Sequence, residues 1–164
     1  MLKTAVVMGS DSDLPKLAPC IDMLKKFGMP YEVRVISAHR TPGAAAEFAS
    51  KARENGFGVL IAAAGKAAHL GGFLAAYTSL PVIGLPIKAS ALEGLDALLS
   101  IVQMPAGVPV ATVAIDGAAN AAILAAQMIA LYEPDLQKKL DTYRASMTQS
   151  VLEKDLAVRQ GEGQ

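Results

Sequence analysis

The residues with the clearest chemical potential lie in one short run, Ser37-Ala38-His39-Arg40-Thr41-Pro42, which sets one of the chain's two histidines directly before an arginine. An imidazole that titrates near neutrality, beside a permanent cation, suits proton transfer on an anionic substrate. Arg40 adds a planar fork matched to phosphate or carboxylate. A second polar run, Gly9-Ser10-Asp11-Ser12-Asp13, combines a glycine, hydroxyls and a helix start that can hold a phosphate on backbone amides. Ser12 or Asp13 reads equally well as a plain helix cap. A carboxylate repels phosphate, so Asp13 is better suited to accept hydrogen bonds from sugar hydroxyls. The third run, Ala64-Gly65-Lys66-Ala67-Ala68-His69-Leu70, carries the other histidine and a lysine. His69 either binds substrate or packs beneath the glycine-rich turn, where Gly65, Gly71 and Gly72 let backbone approach a planar ligand.

These three runs gain a common location from the elements around them. Apolar segments at Thr4–Met8, Tyr31–Ile36, Val59–Ala63, Val82–Leu85 and Val110–Ile115 read as strands. The first, third and fifth are nearly continuous in apolar residues, as parallel strands covered on both faces are. Helical spacing fills the intervals. Leu14, Leu17, Ile21, Leu24 and Phe27 form one stripe with Gly28 as its stop, and Thr41-Pro42 starts a helix that Gly56 closes. Ala67–Tyr77, Leu95–Val102 and Asn120–Leu131 supply three more. The pattern predicts an α/β fold, a flavodoxin-like three-layer sandwich with a doubly wound parallel sheet. An extra C-terminal helix follows at about residues 135–155, with Leu136, Leu140, Tyr143, Met147 and Val151 as its apolar seam. That helix packs either on its own domain or on another subunit. Residues 160–164 read as a flexible tail.

In such sheets ligands bind beyond the carboxyl ends of the strands. The loops there are Gly9–Asp13, Ser37–Arg40, Ala64–His69 and the segment running from Gly84-Leu85-Pro86 towards Ser90. Both histidines therefore fall on one edge.

Composition narrows the function. The 164 residues suit a single catalytic domain, 1–164, and 52% are hydrophobic against 18% charged, so surplus apolar surface is expected to face other subunits. Fifteen basic and fifteen acidic residues cancel, which argues against a nucleic-acid partner. A lone cysteine, Cys20, forms no internal disulfide and reads as a core residue of a cytoplasmic protein. No apolar run is long enough to span a membrane, and residues 1–8 turn strand-like at once without a leader pattern. Gly-Lys-Ser/Thr phosphate loops and dinucleotide fingerprints are absent. Two histidines and one cysteine without ligand spacing predict no metal. Ala62-Ala63-Ala64 stands where a receiver domain needs an aspartate, and the loops lack the aromatics of a flavin site.

Taken with Ala67-Ala68-His69-Leu70, Ser100-Ile101-Val102-Gln103-Met104-Pro105, Pro81-Val82-Ile83-Gly84, Gly107-Val108-Pro109-Val110-Ala111-Thr112 and Asn120-Ala121-Ala122, these runs resemble the N5-carboxyaminoimidazole ribonucleotide mutase family of purine biosynthesis. The resemblance extends from about Thr4 to Asp155. It implies a flavodoxin-like subunit in a homo-octamer with sites at subunit interfaces, a small ribonucleotide substrate, and no metal or organic cofactor. It also implies that His39 is the catalytic acid/base, that Ser10, Asp13 and Arg40 bind the ribose phosphate portion, and that His69 is a second active-site histidine. Gly9, Ser12, Ser37, Gly65, Lys66 and Leu70 complete the expected substrate-binding set, with Ser37 orienting His39 and Gln103 and Met104 helping to close the site. Lys66, Gly71 and Phe73 stand where such mutases commonly have Gly, Pro and Met. Lys66 either pairs with the transferred carboxylate or points to solvent. A related carboxylase branch, which adds free carbon dioxide to the unmodified ring, is the alternative.

Overall fold

Five of the apolar segments become the strands of one sheet in the computed structural model, which describes residues 1–89 and 91–161. They are β1 (Lys3–Met8), β2 (Tyr31–Val35), β3 (Phe57–Gly65), β4 (Val82–Ile87) and β5 (Ala111–Thr112). Their spatial order is β2-β1-β3-β4-β5, and every neighbouring pair is parallel. The helices are α1 (Leu14–Phe27), α2 (Pro42–Lys51), α3 (Leu70–Tyr77), α4 (Leu95–Val102), α5 (Ala118–Ala130) and α6 (Pro134–Arg159). This is the flavodoxin-like order, in which the chain reverses direction across the sheet between β1 and β3.

Strand alternation sorts the side chains into two cores. Val6 and Met8 of β1 and Val59, Ile61 and Ala63 of β3 pack on one face with Leu17, Cys20 and Leu24 of α1 and the alanines of α5. Ala5, Val7, Leu60 and Ala62 pack on the other with Ala45 and Phe48 of α2, Leu74 of α3, and Ala97 and Ile101 of α4. The three layers follow directly from this division. Burial pushes the Cys20 thiol up to about 12, so it stays neutral within the core.

The structure departs from the expected elements in several places. The fifth strand shrinks from Val110–Ile115 to two residues, and both are only partly buried. β4 is instead the strand buried along its whole length. α3 begins at Leu70 rather than Ala67, because Lys66 takes a left-handed turn at φ 57° before it. α2 stops at Lys51, and turns carry the chain on to Gly56. α5 starts at Ala118, two residues earlier than its alanine pattern suggested.

α6 is the longest helix, 26 residues, and therefore about 39 Å long at 1.5 Å per residue. Its first turns are anchored. Leu136 and Leu140 are buried, and Tyr143 meets Phe27 edge-on at 5.6 Å. Lys139 Nζ donates to the Phe27 carbonyl at 2.7 Å. The rest of the expected seam, Met147 and Val151, is exposed, as are Leu152 and Leu156 beyond it. Gln160 ends the helix, and residues 162–164 of the expected tail lie outside the described residues, as does Ser90. No helix among the described residues is long and apolar enough to cross a membrane.

Candidate active site

The loops after β1, β2, β3 and β4 enclose a cavity of about 510 Å³ at the carboxyl edge of the sheet. Gly9, Ser10, Ser12, Asp13, Ser37, His39, Arg40, Gly65, Lys66, His69 and Leu70 all line it. The expected catalytic and substrate-binding residues are therefore brought to one place, whereas Gln103 and Met104 are not. β1 lies between β2 and β3, so the loops carrying His39 and His69 arch towards each other over the end of β1. Nε2 of His39 and Nδ1 of His69 are 2.8 Å apart. A nitrogen pair at that distance shares one hydrogen, with one ring donating and the other accepting. The pair faces the cavity and can pass a proton between a ligand and a second imidazole.

Thr41 sits at the start of α2 but does not cap it. Its hydroxyl turns back to accept from Ser37 N–H at 3.0 Å and to donate to the Ser37 carbonyl at 2.9 Å. This closes the tight loop that presents His39 and Arg40. Ser37 acts on the arginine and not on the histidine: its Oγ accepts from Arg40 N–H at 3.1 Å and from Nε at 3.4 Å. Arg40 Nη2 donates to the Gly9 carbonyl at 2.8 Å, tying the β2 loop to the β1 loop. The guanidinium keeps further donors for a ligand anion.

In the β1 loop the capping question resolves in favour of Ser10. Its side chain accepts from Ser12 N–H at the start of a 3-10 turn over Asp11–Asp13, and Ser12 Oγ lies 2.9 Å from Ser10 Oγ. Asp13 occupies the residue before α1 yet makes no side-chain capping bond. Its carboxylate is thus free to accept from a ligand. Partial burial raises its pKa above the ordinary value, the Lys16 ammonium and the Ser12 hydroxyl work against that rise, and the Asp116 carboxylate adds to it.

Gly65 packs closely on β4: a Cβ there would lie 3.1 Å from the Ile87 carbonyl oxygen, a tight contact that the backbone would have to relieve. Lys66 lines the cavity with its backbone in the left-handed region, which a glycine adopts without strain. Gln103 and Met104 are not among the lining residues of the subunit. A Cβ on Gly72 would lie 2.9 Å from Met104 Sδ, which places that methionine against α3.

Three lining residues, Ile87, Lys88 and Ala89, lie in the segment that the sequence placed at this edge without singling them out. Their only sequence signal was position, at the end of a parallel strand. Among the described residues no cluster of three or more His, Cys, Asp or Glu side chains is arranged to hold a metal ion.

Comparison with known proteins gives consistent matches. A family model described as AIR carboxylase covers residues 3–150. An N5-carboxyaminoimidazole ribonucleotide mutase of Pyrococcus horikoshii is 56% identical over 149 residues, 91% of this chain and 84% of that one. A chloroplastic phosphoribosylaminoimidazole carboxylase of Vigna aconitifolia is 51% identical over 146 residues, 89% of this chain but 26% of that longer protein. The crystal structure of Treponema denticola PurE is similar at a TM-score of 0.86 and 28% identity, covering 93% of this chain and 96% of that one.

Proposed function

The chain belongs to the AIR carboxylase family, and from that premise we propose that it is an N5-carboxyaminoimidazole ribonucleotide mutase of purine biosynthesis. It moves a carboxylate from the exocyclic nitrogen of the aminoimidazole ribonucleotide to ring carbon C4. The observation that carries the reading is the hydrogen-bonded His39–His69 pair facing a cavity that also holds Arg40.

The chemistry follows from the ring. The carbamate nitrogen–carbon bond breaks, its electrons return to nitrogen, and His39 as imidazolium supplies the proton that nitrogen takes up. Carbon dioxide is released inside the cavity. The aminoimidazole is an electron-rich enamine, and its C4 attacks the carbon of the trapped gas to form the new carbon–carbon bond. The C4 hydrogen then leaves as a proton to His39, which restores the imidazolium. Retaining the gas makes recapture a matter of proximity. His69, sharing a hydrogen with His39, holds the tautomer and ring orientation that both steps use.

Arg40 and the Ser10–Ser12 hydroxyls hold the phosphate, Asp13 the ribose hydroxyls, and Gly9, Ser37, Gly65, Lys66 and Leu70 form the remaining walls. The reaction calls for no metal or organic cofactor. We further place residues 1–164 as one catalytic unit of a cytoplasmic homo-oligomer, an octamer by family resemblance. The exposed Leu95, Leu99 and Val102 of α4 and the outer half of α6 support an oligomer by offering apolar surface.

One observation favours a second reading, the 51% identity to the plant carboxylase. The test supplies N5-carboxyaminoimidazole ribonucleotide without ATP, against the unmodified aminoimidazole ribonucleotide with bicarbonate. Rapid conversion of the first at low bicarbonate supports the mutase. Efficient use of only the second makes the protein a carboxylase.

A further inference from the structure

We propose that Lys16 and Asp116 are positioning residues for the substrate cavity: they pin the main chain of Lys88 as one of its walls and frame Asp13 with a fixed pair of opposite charges. The inference rests on reading the cavity as the ribonucleotide site.

β5 pairs with β4 only at Ile83 and Gly84, so the end of β4 that reaches the cavity is flanked by β3 on one side and by no strand on the other. The chain after β5 makes up the loss in steps. Val113 N–H donates to the Gly84 carbonyl at 3.0 Å, and Asp116 N–H donates to the Pro86 carbonyl at 2.8 Å. At Lys88 the side chain of Asp116 takes over from backbone, its Oδ1 accepting Lys88 N–H at 2.8 Å. The Lys88 carbonyl then receives Lys16 Nζ at 2.5 Å. The ammonium and the carboxylate lie 3.2 Å apart. One ion pair thus satisfies both main-chain polar groups of a single cavity residue. Asp116 holds this position at φ 54°, in the left-handed region. Such a conformation is uncommon for a residue other than glycine.

Lys16 also lies one turn after Asp13, on the same face of α1. Its charge and that of Asp116 act on the Asp13 carboxylate with opposite signs. The other charged or titratable groups at this cavity are His39, Arg40, Lys66, His69 and Lys88. Lys88 Nζ itself is paired with Glu93 at the surface.

The test compares Lys16→Met, Asp116→Asn and Lys16→Arg in steady-state kinetics with the ribonucleotide from pH 4 to pH 9. Lys16→Met and Asp116→Asn are expected to raise KM by about tenfold while kcat changes by about twofold or less. Lys16→Arg restores most of what Lys16→Met loses. The acid limb of kcat/KM moves to higher pH in Lys16→Met and to lower pH in Asp116→Asn. Limbs that stay fixed, or that move the same way in both variants, overturn the proposal. Hydrogen exchange at the Lys88 amide, followed without substrate, is expected to quicken in Asp116→Ala, which removes the acceptor, and unchanged exchange also overturns the proposal. That second readout does not depend on turnover, so a wild-type protein inactive on the ribonucleotide would sink the functional reading, while the exchange rate alone would uphold or overturn the pinning of Lys88.

Discussion

The rings of His39 and His69 meet edge to face, their planes 84° apart and their centroids separated by 5.0 Å. The edge of one imidazole is thus aimed at a nitrogen of the other, although the two residues lie on loops after strands that do not touch. Replacing His39 with Asn is expected to lower kcat by about 10²–10⁴ while the affinity for product changes by about threefold or less. His69→Asn, which leaves the acid/base ring in place but unsupported, is expected to lose less. Steady-state kinetics beside calorimetric product binding separates the two effects, and full turnover in His39→Asn would end the mechanism given above.

Asp13 makes a prediction with opposite signs for stability and binding. Its carboxyl is held above the ordinary range in the folded protein, chiefly by burial. It therefore binds its proton more tightly folded than unfolded. The stability it lends is fully present below the unfolded value of about 3.9 and is lost as pH rises through the folded one. At neutral pH the ionised carboxylate is a net cost. Asp13→Asn is expected to raise Tm at pH 7, with the gain shrinking towards pH 4, and to weaken ribonucleotide binding by about 1.5–3 kcal/mol. Thermal melts across that range, beside a binding titration, check both halves.

At Lys66 the backbone sits at φ 57°. A left-handed L-residue costs about 1–2 kcal/mol, and glycine gives back about 0.5–1 kcal/mol of that through its freer unfolded chain. Lys66→Gly is expected to be between equal and about 1.5 kcal/mol more stable. Lys66→Val, whose branched carbon tolerates this region least, is expected to lose stability. Urea denaturation of the three proteins decides the matter, and a Val variant as stable as wild type would mean that the turn readily relaxes.

Gly84 offers a packing test. A Cβ there would lie 2.2 Å from Ile101 Cγ2 and 2.9 Å from Val110 Cγ1, so α4 rests directly on the strand. Gly84→Ala is expected to cost about 1–3 kcal/mol by overpacking. In an Ile101→Ala background the same change is expected to cost less, because the clashing methyl is gone. A double-mutant cycle by chemical denaturation measures the difference, and strict additivity would show that the helix simply moves away.

The sheet was legible because parallel strands covered on both faces leave unbroken apolar runs, as in Val59–Ala63. The fifth run misled because its apolar residues are used by packing and not by a ladder. A Cβ on Gly94 would lie 2.6 Å from Ile115 Cγ2, so that isoleucine packs against the turn before α4. Val110 packs between Gly71 of α3 and Gly84 of β4. Alternation cannot distinguish the two uses. The end of α6 was placed too early because its apolar seam thins, whereas the chain stays helical to Arg159, within reach of Asp155 at 3.7 Å.

At the site, residue types on the correct strand ends could be read, but their partners could not. His39 and His69 are 30 positions apart, and Lys16 and Asp116 are 100 apart. Distances across loops are set by where the sheet places those loops. The single-residue reading of Ser37 pointed to its neighbour His39, while the loop's tight turn gave its hydroxyl to Arg40.

The two margins of the sheet bear on the fate of the protein at high concentration. An uncovered strand with a long row of free amides invites a strand from another molecule, and growth from such edges leads to fibres. Here one margin, β5, is two residues long. The other, β2, carries Glu32 and Arg34 joined at 3.1 Å, so a sixth strand would have to bring its own side chains past paired charges. Both margins of the folded sheet are therefore poor templates for an added strand, in a chain that is 52% hydrophobic.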